Sequence, residues 1–379
     1  MPKVHIALVG GQATPVYQGI VYTKPDQVIL VCSEQSKKDA DSILEKLPSL
    51  QPSLQSNIEL RVFSDSDLVN MEESVRGLMN EVSADAELSV NLSSGLKVWT
   101  VLFYGILHSH RPDSRIFCLS QDGLVFDITA HRSNEHVDFD MDAQFRLLGN
   151  EVASYTSYAD YTAEDRSVLN IVRSWGLSSR YHMPLKDLTD AFLDKAKGRT
   201  NNSLSVIVKE SRLKWDPSSS TFTGKLLNKE FTLHSPHVWH ILLNTGWFEA
   251  HVASLLASIY PPKDIRLNCI FKSKTDAVKN EVDIIVNTGK KLIFVECKTQ
   301  VSNTTDVDKF ASVVRTYGGL GSKALFITNS PMKNNAQEKC DEKGIETFYT
   351  TRPDVSNLQE LKELMKQMLD KLVNSWNTK

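Results

Sequence analysis

The chain has 379 residues, 41% hydrophobic and 23% charged, with a formal net charge of −3. That composition is ordinary for a soluble globular protein, and the length allows two or three domains, each with its own core. It excludes a basic coat for nucleic acid, and no internal repeat or low-complexity tract is present. The charge is uneven: residues 1–150 carry 12 Lys and Arg against 20 Asp and Glu, and the remainder 31 against 26. A mildly positive second part is compatible with handling a polyanion. The five cysteines, Cys32, Cys118, Cys269, Cys297 and Cys340, are scattered without a CxxC pair. That argues against a disulfide framework or structural zinc and predicts a cytoplasmic protein. The start reads directly into a strand without a signal-peptide pattern, and the longest apolar run, Val98–Leu107, is about half of what a membrane span needs.

The first 130 residues alternate strand and helix. Strands are expected at Val4–Val9, Gln27–Cys32, Ile58–Phe63, Leu88–Leu92 and Arg115–Leu119, with helices over Ser36–Leu47, Leu68–Val82 and Leu96–His108. Strands that are apolar throughout and separated by helices predict a parallel sheet covered on both faces. Asp122-Gly123 predicts a closing hairpin with Leu124–Ile128. The fold class is therefore α/β, with a Rossmann-like domain over 1–150. Residues 151–235 change character. Helices are expected at Thr162–Trp175 and Leu185–Lys197, then strands at Ser203–Lys209 and Phe222–Leu227, which suits a connector or a winged-helix-like module. Residues 236–379 open with a helix over Val238–Ile259, stopped by Pro261-Pro262. A hairpin follows, then a helix at Asp306–Tyr317, a strand at Ala324–Thr328, a helix at Asn334–Lys343 and a strand at Glu346–Tyr349. The last helix carries Leu358, Leu361, Met365, Met368 and Leu372 as a core stripe.

The hairpin carries the chemistry. Glu281-Val282-Asp283-Ile284-Ile285-Val286 and Leu292-Ile293-Phe294-Val295-Glu296-Cys297-Lys298 flank the turn Asn287-Thr288-Gly289. Charges among so many apolar residues cost several kcal/mol unless paired or metal-bound. Glu296 and Lys298 share a strand face, while Cys297 points away, so only its carbonyl could reach a metal. Two carboxylates suit Mg²⁺ or Mn²⁺, and a lysine beside them can orient water or offset charge on a phosphodiester. Glu249 on the preceding helix adds a third acid, with Glu281 and Gln300 as supporting groups on the same faces. A plain cross-strand ion pair between Glu296 and Lys298 is the alternative. The ordered set Glu249, Asp283, Glu296-x-Lys298 resembles the PD-(D/E)xK nuclease superfamily over residues 236–350, with Val282 where the motif name has proline. The resemblance implies Glu249, Asp283, Glu296 and Lys298 as catalytic residues. It also implies Glu249, Asp283, Glu296 and the Cys297 carbonyl as metal ligands.

In open α/β sheets, ligands sit at the carboxyl ends of the strands. Those ends here are Gly10-Gly11-Gln12-Ala13-Thr14, Ser33-Glu34 and Asn91-Leu92-Ser93-Ser94-Gly95-Leu96-Lys97. The last places hydroxyls, a glycine and free N–H groups at a helix start, a setting for phosphate or nucleotide edges. A Ser93 that merely caps the helix is the alternative. The Asn91–Lys97 loop resembles the CRISPR-associated Rossmann-fold (CARF) sensors over residues 1–150. A CARF sensor joined to a PD-(D/E)xK domain resembles the ancillary nucleases of type III CRISPR systems. That implies a homodimer binding one cyclic oligoadenylate, cyclic tetra-adenylate in particular, through Gly11, Gln12, Ala13, Thr14, Ser33, Asn91, Ser93, Ser94, Gly95 and Lys97. Binding would rearrange nuclease domains that cut single-stranded DNA or RNA with Mn²⁺ or Mg²⁺, with no membrane involved. A ligand-independent restriction or repair nuclease and a ligand-responsive DNA-binding regulator are the competing readings.

Overall fold

The structure is a computed structural model that describes residues 1–54, 57–138, 140–197, 201–272, 281–299, 304–319, 321–351 and 357–374. The chain divides into two units. The first is Met1–Glu151 with Gly289–Leu292 and Gly319–Gly321; the second comprises Val152–Thr288, Ile293–Gly318 and Ser322–Lys379.

In the first unit β1 (Lys3–Leu8), α1 (Ala13–Thr23), β2 (Gln27–Cys32), α2 (Lys37–Leu50), β3 (Ile58–Val62) and α3 (Leu68–Glu81) follow one another. Then come β4 (Glu87–Asn91), α4 (Lys97–His110), β5 (Arg115–Leu119), β6 (Leu124–Asp127), β7 (Arg132–His136) and α5 (Met141–Leu147). The sheet order is β3-β2-β1-β4-β5-β6-β7. The first five strands pair in parallel, and β6 and β7 close the edge antiparallel. Alternation explains the two layers: Ile6, Leu8, Val31 and Val90 pack with Trp99 and Phe103 on one face. Ala7, Val9, Val28 and Leu30 pack with Ile43 and Leu47 on the other. Each such fully buried aliphatic side chain contributes about 1.5–3 kcal/mol. Strand order reverses between β1 and β4, so the loops after these two strands form the crevice where such sheets hold ligands.

The second unit begins with β8 (Val152–Ser157), α6 (Ala163–Gly176) and α7 (His182–Ala196). β9 (Leu204–Val208), β10 (Ser211–Asp216), β11 (Thr221–Leu226) and β12 (Lys229–His234) follow as a four-stranded antiparallel sheet. α8 (Val238–Leu242), α9 (Gly246–Leu256), β13 (Ile265–Phe271), β14 (Glu281–Asn287) and β15 (Leu292–Lys298) come next. α10 (Thr305–Tyr317), β16 (Lys323–Thr328), α11 (Asn334–Lys343), β17 (Glu346–Tyr349) and α12 (Leu358–Asn374) complete it. The larger sheet runs β17-β16-β15-β14-β13-β8.

Three local differences from the sequence expectation have physical causes. Two strands were expected in the 151–235 segment, at 203–209 and 222–227, and four form after α7, because β10 and β12 also alternate, with Leu213, Trp215 and Leu233 turned inward. The expected helix Val238–Ile259 breaks after Leu242: Asn244 and Thr245 adopt left-handed φ of 52° and 60°. A Cβ on Gly246 would lie 1.8 Å from the His240 carbonyl oxygen, so only glycine fits. In α12 the core stripe is Leu361, Met365, Leu369 and Leu372, while Leu358 is exposed.

Candidate functional site

The β14–β15 pair is apolar almost throughout, with Val282, Ile284, Ile285, Val286 and Leu292–Val295 buried. Its charges therefore stand in a desolvated frame. The Asp283 and Glu296 side chains keep 14% and 17% of their exposure, and Lys298 keeps 39%. Lys298 Nζ donates to Glu296 Oε1 at 2.7 Å and lies 3.9 Å from Asp283 Oδ2. Asp283 Oδ2 accepts the backbone N–H of Cys297 at 2.7 Å, locking one strand to the other at the site. The Cys297 thiol is buried, which pushes its pKa up and leaves it a packing group.

The break before α9 places Glu249 in that helix's first turn. Burial, then the charges of Asp283, Glu281 and Glu296, hold the Glu249 carboxyl well above the usual carboxylate range, against the pull of Lys298. Burial also raises Asp283, opposed by Lys298 and the Cys297 N–H. Burial and Asp283 push Glu296 up to about 7. Burial works against the Lys298 charge, yet Asp283 and Glu296 hold its pKa above that of an ordinary lysine. Glu281 lies on the same strand with its carboxyl partly desolvated, and that desolvation, with the charge of Glu296, raises it too against the pull of Lys298. Four acids and one lysine thus share one electrostatic field, an arrangement whose carboxylate oxygens are of the type a hard cation takes. Among the described residues, no three His, Cys, Asp or Glu side chains stand together as a ready metal cage. Gln300 lies outside the described residues.

Two further groups reach this field without a motif to announce them. Burial, then Asp165 and Glu249, raise the pKa of the Tyr161 phenol, and Asp306 adds to the field on Glu296. Tyr161 is far upstream in sequence, so no spacing signal could have found it.

In the first unit the two crevice loops are stitched together. Ser94 Oγ accepts the N–H of Gly10 at 2.9 Å. Gly95 has φ +83°, and a Cβ there would meet Leu8 Cβ at 2.9 Å. Asn91 is 1% exposed. Its amide donates to the Pro15 carbonyl at 2.9 Å and accepts both the N–H and the hydroxyl of Ser93. Asn91 therefore shapes the loop from beneath. Ser93 does not cap α4: the N-cap is Leu96, with no side-chain cap, and Ser93 Oγ accepts the Leu119 N–H at 2.7 Å. Ser33 is buried in exchange with Ser36, whose hydroxyl donates to the Val9 carbonyl at 3.0 Å. Thr14 donates to Gln144. Gly11 and Lys97 are exposed; Gln12, Ala13, Ser94 and Gly95 are half-buried. Gln12, the N-cap of α1, makes no side-chain cap bond. The crevice thus offers uncapped helix N–H groups and one ammonium, donors suited to an anion.

Residues 239–368 match the family model of the Card1-like endonuclease domain. The fold is that of Can2 from Sulfobacillus thermosulfidooxidans, solved in complex with cyclic tetra-adenylate (TM-score 0.66, 16% identity, 98% of this chain and 100% of that one). It is also that of protein VC1899 from Vibrio cholerae (TM-score 0.73, 16% identity, 98% and 99%). A type III CRISPR defence DNA nuclease activated by cyclic oligoadenylate aligns at TM-score 0.53 and 18% identity, over 88% of this chain and 46% of that one. No curated protein matches the sequence.

Proposed function

We propose that this chain, which carries a Card1-like endonuclease domain at residues 239–368, is a metal-dependent nuclease of type III CRISPR defence switched on by a cyclic oligoadenylate. The observation that carries the reading is the desolvated Asp283–Glu296–Lys298 group with Glu249 in its field. A structural ion pair does not need three acids whose burial, together with neighbouring carboxylates, raises their pKa values; a cation site acting on an anionic substrate does. The fold shared with the complex of Can2 and cyclic tetra-adenylate supports that activator, bound at the β1 and β4 crevice.

Glu249, Asp283, Glu296 and the Cys297 carbonyl are oxygen donors of the kind Mg²⁺ or Mn²⁺ takes. Such an ion, when bound, polarises the phosphodiester and lowers the pKa of water. The chain itself holds Asp283 in orientation through the Cys297 N–H. It also keeps the Lys298 ammonium charged, where it offsets negative charge developing on the phosphate. The substrate is single-stranded DNA or RNA in the cytoplasm. Backbone donors and Lys97, rather than a basic field, hold the activator, which reconciles an anionic ligand with an acidic unit.

The active form is a homodimer. On α4, Val98, Val101 and Tyr104 are 37%, 70% and 42% exposed, and Leu68 and Val69 at the start of α3 are 57% and 66% exposed. That apolar stripe starts at the crevice loop and suits a second copy around a two-fold axis. The test is cleavage of labelled single strands with Mn²⁺ or Mg²⁺, with and without cyclic tetra-adenylate. Equal cleavage in both arms sinks the activation claim, and cleavage in the presence of chelator sinks the metal claim.

A further inference from the structure

The four-stranded sheet β9–β12 buries one face and leaves the other open. Leu213, Trp215, Phe222, Leu226 and Leu233 are buried. The open face carries two cross-strand rows: Ser205, Lys214, Thr223 and Thr232 in one, and Ile207, Arg212, Lys225 and Glu230 in the other. Arg212 and Lys225 are direct cross-strand partners, a like-charge pairing that costs stability in a sheet. A Cβ on Gly224 would lie 2.2 Å from the Arg212 carbonyl oxygen, so β10 and β11 approach closely at that point. The open face there encloses a hollow of about 740 Å³, lined by Arg212, Lys214, Thr223, Glu230 and Thr232 among others. Glu230 pairs with Arg212 at 3.2 Å in an ion pair exposed on both sides, which an incoming anion displaces at little cost. Asp216, at the end of β10, is occupied by Ser218 and Ser219. In the chain β12 is followed by α8 and then α9, the helix that bears Glu249.

We propose that this face is a docking surface for the sugar–phosphate backbone of the single strand that the nuclease cuts. Cations and hydroxyls are the side chains that contact phosphate and leave base identity unread. The surface supplies affinity, not chemistry. The proposal rests on the nuclease reading of the second unit, and the experiment separates the two.

In the full-length chain made inactive by Glu296→Gln, the triple variant Arg212→Gln, Lys214→Gln, Lys225→Gln is titrated with a fluorescent single strand of mixed sequence. Affinity is expected to fall about tenfold or more at low salt. The slope of log affinity against log salt should drop by about 2, as loss of three phosphate contacts requires at ~0.7 each. In the active chain the same triple variant should raise KM for long strands, leave kcat in place and leave cleavage of a short oligonucleotide unchanged. An unchanged affinity and salt slope overturn the proposal. So does an equal loss on short and long strands, or a polyglutamate that displaces the strand only from the unsubstituted face. If the active chain cuts nothing, the nuclease reading fails, while the binding titration still decides the surface. The glutamine variants keep the strand pattern and remove the Arg212–Lys225 repulsion, so a Tm no lower than that of the unsubstituted chain verifies that the sheet is intact.

Discussion

Lys298 donates to Glu296 Oε1 at 2.7 Å while standing 3.9 Å from Asp283 Oδ2, so one ammonium serves two acids on adjoining strands. The lysine balances charge that burial makes costly, and it is the group proposed to offset charge on the substrate. Lys298→Met should therefore lower kcat by about 10²–10³-fold, the scale of losing one preorganised charge donor. Folding should be kept, because the remaining acids can bind protons. A Lys298→Met protein that cleaves at the unsubstituted rate would falsify the assignment. Lys298→Arg, which retains charge but not the compact ammonium, should rescue little.

The acids give a pH signature. The folded pKa of Glu296, about 7, lies above that of an unfolded glutamate, and Glu249 and Asp283 shift in the same direction. A raised carboxyl stabilises the fold while protonated. That contribution is complete below the ordinary carboxylate range and is lost as pH rises through about 7. The metal-free Tm should fall across that window. Mn²⁺ should restore it more at the alkaline end, where it no longer competes with protons. Differential scanning fluorimetry at several pH values, with and without the ion, checks both. A Tm that ignores Mn²⁺ at every pH removes these carboxylates as ligands. Cleavage rate should rise with pH over the same range.

In the crevice the sharpest prediction concerns Gly95 and Lys97. Gly95→Ala forces a Cβ against Leu8 from a left-handed φ of +83°, and should cost about 1–3 kcal/mol of stability. Lys97→Ala, on an exposed residue, should leave stability unchanged and weaken cyclic tetra-adenylate by about tenfold. Isothermal titration reads the second, and activator-dependent cleavage should shift by the same factor at subsaturating ligand. Unaltered binding by Lys97→Ala removes the only ammonium assigned to that ligand.

The α4 stripe predicts an oligomeric change. Val101 is 70% exposed, so Val101→Glu should not disturb the fold of a single copy. It should convert a dimer to a monomer in sedimentation and abolish activation while leaving metal binding intact. If the unsubstituted protein sediments as a monomer with and without ligand, the homodimer proposal is wrong.

Much of this was legible in the chain because the signals are local. The parallel strands announce themselves as unbroken apolar runs. Asp283, Glu296 and Lys298 stand out because charge is rare among residues such as Ile284 and Val295. The β10 and β12 strands hid because Arg212, Lys214 and Thr232 make half-buried strands read as polar loop. Asn91 looked like a ligand group because a polar residue at a strand end usually faces the crevice. The structure adds that its amide donates to the Pro15 carbonyl and accepts the Ser93 N–H. The nearness of Tyr161 to Glu249 is a product of tertiary packing and has no sequence signature.

The break ahead of α9 shows how a sequence detail reaches the site. Leu-Asn-Thr-Gly looks like a tolerable interruption of one helix, yet Asn244 and Thr245 both take left-handed φ. Gly246 meets the His240 carbonyl at a distance no Cβ permits. The turn sets the start of α9 and with it the position of Glu249. Gly246→Ala should therefore destabilise the protein by about 2–4 kcal/mol, the range for strain combined with a steric clash in a core-facing turn. Because the break aims the acid proposed as catalytic, cleavage should fall further than the loss of folded protein explains. Activity per folded molecule, measured below the variant's Tm, distinguishes the two effects. If that specific activity matches the unsubstituted protein, the turn matters for folding alone and Glu249 does not depend on it for its placement.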